Sequence, residues 1–150
     1  MYSTTEDERE IYRKVVRIAR AMDERDWSSI EMLMVPDATG DFGNGKLTSA
    51  ADIIALLQSF LDECGPTQHL IGNVLIEVDG DTATSMSYVA DMHLGTGDLE
   101  GQFFRTLGDY RDSWSRTASG WMLTRRHKLH TGTMGNIDVL SHALPIPEPN

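Results

Sequence analysis

The chain has 150 residues, a length suited to one domain around one core, and 23 acidic against 13 basic side chains give it a formal charge of -10. So acidic a surface repels phosphate backbones and anionic lipid, which excludes nucleic acid and membranes as expected partners. A hydrophobic content of 40% excludes a disordered chain and is enough to fill a core anchored by Trp27, Trp114 and Trp121.

The N-terminus, Met1 to Glu8, is polar and acidic, so it does not read as a signal peptide, and no apolar run reaches the ~18 residues of a membrane span. Thr5 and Glu8 stand at capping-box spacing. Ile11, Val15, Ile18, Ala19 and Met22 then share one helical face, with Arg13, Lys14, Arg17 and Arg20 on the other. This predicts a first helix from about Glu6 to Met22, with Arg17 and Arg20 complementing its dipole. Asp26-Trp27-Ser28-Ser29 reads as a break and a fresh cap for a short helix through Leu33, stopped by Pro36-Asp37. A short strand is predicted over Asp37 to Phe42, ending in Gly43-Asn44-Gly45. A third helix starts near Ser49, buries Ile53, Ile54, Leu57, Phe60 and Leu61, and ends at Gly65-Pro66.

The second half reads as strands: Gln68 to Val78, Thr82 to Leu94, Gln102 to Arg116 and Trp121 to Thr131. Asp79-Gly80-Asp81 and Thr117-Ala118-Ser119-Gly120 are the turn signals, and Gly95 to Asp98 is a loop. Pro145, Pro147 and Pro149 make an extended tail from about residue 143. Helices first and antiparallel strands second imply one α+β domain over residues 1–150, a curved sheet with helices on one face and a cavity at its mouth. Cys64 is the single cysteine, so no internal disulfide forms, and a lone thiol points to a reducing, cytoplasmic setting.

There is no phosphate-binding glycine loop, no G-x-S-x-G, no H-E-x-x-H and no zinc-spaced Cys/His cluster. His127 and His130 are three apart, which on a strand puts them on opposite faces, so no metal is expected there. His69 stands where a loop becomes an apolar strand, in Gly65-Pro66-Thr67-Gln68-His69-Leu70-Ile71-Gly72-Asn73. It reads either as a satisfied core histidine or as a general base, whose ordinary pKa of about 6.5 suits proton transfer. Asp23, with Glu24 and Asp26, reads either as a solvated cluster or as an inward carboxylate that orients an imidazole. A carboxylate opposes the helix dipole at this end, so its placement has a poor stability rationale.

Met22-Asp23-Glu24-Arg25-Asp26-Trp27, Pro36-Asp37-Ala38 and Thr67-Gln68-His69-Leu70-Ile71-Gly72 resemble scytalone dehydratase and its relatives, the SnoaL-like group of the NTF2-like superfamily. Tyr110 to Trp114 and Gly120-Trp121 resemble that group's last two strands, and the likeness runs from about Tyr12 to His130. It implies a cystatin-like, cone-shaped α+β barrel: a curved antiparallel sheet with N-terminal helices on its concave face. It also implies that Asp23 orients His69, which removes a proton next to a carbonyl or leaving group, with no cofactor or metal. His93 takes the place of an assisting histidine, Asp91 shares its face, and Arg126 matches a basic residue that serves on the last strand of some relatives, with Arg125 on the opposite face. Met22 and Phe42 stand where scytalone dehydratase uses carbonyl-polarising tyrosines, and neither can donate a hydrogen bond; Gly108 and Tyr110 replace a serine and an asparagine.

The resemblance therefore implies a cofactor-independent lyase, or a SnoaL-like isomerase or cyclase, that eliminates water from a small cyclic or aromatic hydroxy-ketone. Asp23 and His69 are the expected catalytic pair, and His93, Arg126, Asp91, Phe42, Tyr110 and Met22 the expected substrate contacts. A homo-oligomer, dimer or trimer, is implied as well. The alternative is a non-catalytic ligand-binding or assembly module of the same superfamily, such as the small subunit of a ring-hydroxylating dioxygenase. A third reading, an epoxide hydrolase or hydroxylase-like relative, requires an inward Asp/Arg/Asp cluster to which Asp91 and Arg126 would contribute.

Overall fold

A computed structural model describes residues 4–140. The expected tail from about residue 143 lies outside them. The elements in chain order are helix α1 (Thr4–Glu24), helix α2 (Trp27–Glu31), strands β1 (Met34–Asp41) and β2 (Lys46–Leu47), helix α3 (Ala50–Leu61), and strands β3 (Thr67–Asp79), β4 (Thr82–Leu94), β5 (Phe103–Thr117) and β6 (Gly120–Gly135). A single 3-10 turn at Gly97–Leu99 lies between β4 and β5, and another at Ile137–Leu140 follows β6. Among the described residues no helix is long and apolar enough to cross a membrane.

The predicted stripe of α1 is its buried face: Ile11, Val15, Ile18, Ala19 and Met22 are all sealed from solvent. Thr5 lies inside the helix, so the expected capping box does not open it. Asp7 turns to tertiary partners instead, accepting from Trp121 Nε1 at 3.0 Å and from both terminal nitrogens of Arg116 at 2.8 and 2.9 Å. Nor do Arg17 and Arg20 serve the helix end, because α1 continues to Glu24 and its last turn holds no base. Asp26 caps α2 through Ser29 N, and Ser49 caps α3 through Asp52 N.

The sheet has the order β2-β1-β6-β5-β4-β3. Strands β3 to β6 form the expected antiparallel meander, with turns at Gly80 and Gly120, both in the left-handed region that their φ of 59° and 88° requires. One expectation needs correcting: the sheet is mixed, because β1 pairs with β6 in parallel. Hairpins force neighbours to run antiparallel, but β1 reaches β6 from the other end of the chain and no turn dictates its direction. Pro36, expected to precede the strand, lies within β1 at the register irregularity between Met34 and Thr39, where a missing N–H is tolerated.

The inner face of the meander changes character along its strands. At one end Ala83, Trp114, Trp121 and Leu123 are buried in the hydrophobic core with Ile11 and Val15 of α1. At the other end the inward positions become Asp91, His93, Thr106, Lys128 and His130, with Met22 of α1 and Leu57, Phe60 and Leu61 of α3 across from them. The fold therefore closes one end with tryptophans and leaves a lined cavity at the other.

Candidate active site

The cavity encloses about 500 Å³. Its apolar lining includes Met22, Phe42, Leu57, Phe60, Leu61, Phe104, Ile137 and Leu140, and its polar lining His69, Asp91, His93, Thr106, Tyr110, Lys128 and His130, with Asn44, Thr133 and Asp138 beside them. Met22 and Phe42, expected as contacts, do line it, and both offer only apolar surface.

His69 Nδ1 lies 2.7 Å from Asp23 Oδ1. Asp23 also accepts from Thr67 Oγ1 at 3.0 Å and from the His69 backbone N–H at 3.1 Å. Burial works to raise its pKa, but the hydrogen bonds from the His69 ring and backbone, the His69 charge and Thr67 outweigh that and hold the carboxyl below the usual range. Asp23 does not line the cavity; it stands behind His69 and fixes the ring, so Nε2 is the nitrogen presented to the cavity.

Arg25 makes this arrangement possible. It ends α1 in the left-handed conformation, φ 57°. Its guanidinium donates to the carbonyls of Met22 at 2.8 Å, Leu61 at 2.8 Å and Gly65 at 2.9 Å, and to Thr67 Oγ1 at 2.8 Å. A cation thus sits on the carbonyl end of the helix, which offsets the unfavourable placement of Asp23. Thr67, accepting from Arg25, passes its own proton toward Asp23.

On the facing strand, the buried His93 donates from Nδ1 to the Phe104 carbonyl at 3.0 Å, so its Nε2 is unprotonated while the ring is neutral. Burial lowers the His93 pKa, with Asp91 opposing. The rings of His69 and His93 meet edge to face, with centroids 5.5 Å apart. Asp91 is fully buried and accepts from Thr106 N at 2.8 Å, Thr106 Oγ1 at 2.7 Å and Lys128 Nζ at 2.6 Å. Burial would raise its pKa, but the Lys128 charge and hydrogen bond, the His93 charge and Thr106 bring it below the usual value.

Two expectations about the last strand divide. His127 and His130 do lie apart: His130 faces the cavity and donates to the Phe42 carbonyl at 3.0 Å, while His127 faces an outer groove with Arg125. Arg126, expected to meet the substrate, does not line the cavity. Its guanidinium forms a bidentate pair with buried Asp112, both contacts at 2.8 Å, and stacks 4.0 Å from the Tyr110 ring centroid. The Asp/Arg/Asp cluster of the hydrolase reading is therefore not assembled in the cavity. Lys128, two residues on, is the base that reaches it; alternation from Arg126 would have pointed to it.

His69, Asp91 and His93 place one ligand atom each within 4.8 Å of one another, the set among the described residues that could hold a metal ion. The oxygens of Asp91 are already engaged by an ammonium, a hydroxyl and an N–H, so a second cation would have to displace Lys128. The donor set fits an acid/base network better than a metal centre.

The SnoaL-like domain family matches residues 3–127 of the chain. An uncharacterized protein of Mycobacterium tuberculosis is 30% identical over 122 residues, covering 80% of this chain and 82% of its own length. The chain belongs to the SnoaL-like domain family. Among solved structures, a Novosphingobium aromaticivorans protein provisionally named an aromatic ring hydroxylase has a TM-score of 0.82 at 24% identity, covering 93% of this chain and 99% of its own. A provisionally named scytalone dehydratase from the same organism has a TM-score of 0.78 at 22% identity, covering 86% and 87%. At such identities these two share the fold, which is also that of an NTF2-like protein with a cystatin-like fold from the same organism, TM-score 0.72 at 24% identity, covering 85% of this chain and 83% of its own. SnoaL-like membership thus accounts for the curved sheet and N-terminal helices, with dehydratase-like proteins among the structural neighbours.

Proposed function

We propose that the chain is a cofactor-independent, dehydratase-like lyase that eliminates water, or performs a related proton abstraction, on a small cyclic or aromatic hydroxy-ketone. The observation that carries this reading is the 2.7 Å contact between His69 Nδ1 and Asp23 Oδ1. A carboxylate there accepts a hydrogen bond from Nδ1–H, which leaves Nε2 as the basic nitrogen and stabilises the imidazolium once it forms. Asp23 also ties α1 to β3 through Thr67 and the His69 backbone, and its contact with the ring at Nδ1 is what favours a base over a non-catalytic binding module.

In the proposed reaction, His69 Nε2 takes the proton next to the substrate carbonyl. The imidazolium, facing Asp23, then returns that proton to the departing hydroxyl, which leaves as water. In this reading His93, with its ring centre 5.5 Å from that of His69, offers an unprotonated Nε2 that accepts from the substrate hydroxyl and orients it toward His69. The apolar wall takes the carbon skeleton. The test is kcat/KM on a panel of small β-hydroxy-ketones, together with deuterium exchange at the carbonyl-adjacent carbon of 2-tetralone in heavy water. His69→Ala is expected to lower both by about 10²- to 10⁴-fold; undiminished rates in that variant would remove His69 from the role.

A further inference from the structure

We propose that Tyr110 and Lys128 form the site that receives the substrate's carbonyl oxygen and holds the negative charge developing on it, so that the substrate class is an enolisable ketone with an apolar body. This rests on the base reading of His69 and supplies its electrophilic counterpart.

Tyr110 is 2% exposed and lines the cavity. Its hydroxyl has no hydrogen-bond partner among the described residues, yet it is not sealed away: there, only Ser87 Oγ is both buried and unpartnered. A phenol at a cavity wall with nothing to bond is a donor awaiting a ligand. Burial pushes its pKa up despite the nearby Lys128 and Arg126 charges, so it keeps its proton.

Lys128 stands directly opposite Tyr110 in the β5–β6 register. Its ammonium lies 5.9 Å from the ring centroid. One N–H goes to Asp91 and one to Thr106, and an ammonium has three. The same Asp91 lies within 4.8 Å of the His69 and His93 nitrogens, so donors and base share one wall. Across from them, Met22, Phe42, Leu57 and Phe60 cannot donate and suit the apolar body; Asn44 and Thr133 also line the cavity but lack a cation beside them.

Paired with Asp91, Lys128 presents no net charge to a neutral ketone. Charge appearing on the oxygen during proton removal gains both donors, an interaction stronger in the transition state than before it. In the step, His69 Nε2 takes the proton, the C–H pair becomes the new C=C bond, and the carbonyl π pair moves onto oxygen. The oxyanion accepts from Tyr110 Oη–H and Lys128 Nζ–H. When the carbonyl re-forms, the enolate C=C pair shifts to make the new alkene bond, the C–O bond to the hydroxyl breaks, and His69 returns its proton to make water.

The test uses 4-nitrophenol, whose ionised form mimics the enolate and is visible by absorbance, with nitrobenzene as the neutral control. The wild type is expected to bind the phenolate and to lower the apparent pKa of the bound phenol. Tyr110→Phe should weaken phenolate binding about tenfold or more while leaving nitrobenzene within about twofold. Lys128→Met alone would strand buried Asp91, so the second variant is Asp91→Asn/Lys128→Met, in which bound nitrophenol should stay neutral. The proposal is overturned if the wild type does not bind the phenolate, if both variants keep its affinity, or if phenolate and nitrobenzene weaken together. Loss of deuterium exchange in His69→Ala with phenolate binding indifferent to both variants would keep the base and discard the oxygen site. Exchange surviving His69→Ala with phenolate binding still dependent on them would do the reverse.

Discussion

Asp23 accepts from the His69 ring, the His69 backbone and Thr67, which makes it an orienting group whose hydrogen-bond polarity matters more than its bulk. Asp23→Asn keeps the shape but can offer an N–H to Nδ1, favouring the wrong tautomer, as in the serine hydrolase triad. We expect kcat/KM to fall by about 10²-fold or more with nitrobenzene affinity unchanged; equal losses in both would mean the cavity itself had altered. His93 gives a second prediction at this scale. Its folded pKa lies below the ordinary histidine value, with burial the first cause, so the unfolded chain binds the proton more readily. The stability His93 contributes is complete above about pH 6.5 and is lost as pH falls through the folded value, with a slope of at most one proton. Urea midpoints measured from pH 8 to pH 5 should decline in the wild type and decline less in His93→Gln. His69 and Asp23 were open candidates from their positions at a strand start and a helix end, and only the family resemblance through T-Q-H-x-I-G paired them and brought in His93. Arg25 was no candidate, since its role depends on carbonyls from Leu61 and Gly65 that only folding brings to it.

The elements were legible wherever they are local. The break and cap at Asp26, the helix start at Ser49 and the turns at Gly80 and Gly120 followed from residue chemistry, whereas β4 buries Ser85, Ser87, Asp91 and His93 and exposes Met86 and Tyr88, against its polarity. What escaped was the bulge in β6. Trp121 and Leu123 face inward, then Thr124 is inserted between the pairs Trp114–Leu123 and Ser113–Arg125, and the inward set becomes Arg126, Lys128 and His130. No turn residue marks that bulge. Gly108 completes the arrangement: a Cβ there would meet Lys128 Cε at 3.0 Å and the Leu129 carbonyl at 3.0 Å. Glycine lets the lysine stem cross β5 from the Tyr110 row to Asp91. Gly108→Ala should therefore destabilise by about 1–3 kcal/mol from overpacking and weaken 4-nitrophenolate binding several-fold. In the Asp91→Asn/Lys128→Met background the same substitution should have little further effect on binding, because its target is gone. Additive losses would show that Gly108 acts on something other than Lys128.

At the scale of the molecule, Lys128–Asp91 and Arg126–Asp112 are buried carboxylate–cation pairs on the inner face of the sheet, and they do different work. Lys128–Asp91 faces the cavity, whereas Arg126–Asp112 is sealed beneath Tyr110 with side chains 4% and 1% exposed. Asp112→Ala leaves a buried guanidinium without its partner and should cost about 3–5 kcal/mol, read from the urea midpoint; Arg126→Met together with Asp112→Leu should recover most of it. A small loss in the single variant would mean that water reaches Arg126. The α+β order, the helical faces and the meander were readable from the chain, because periodicity, turns and caps are set by neighbours a few residues apart, while the pairing of His69 with Asp23 came from the family resemblance. It took the folded molecule to join β1 to β6 in parallel, to set Arg126 beneath Tyr110 rather than on the cavity wall, and to bring Lys128 to Asp91. Those outcomes depend on strand registers and a bulge that join residues distant in the chain, and the energy that selects them comes from pairing and packing across the sheet.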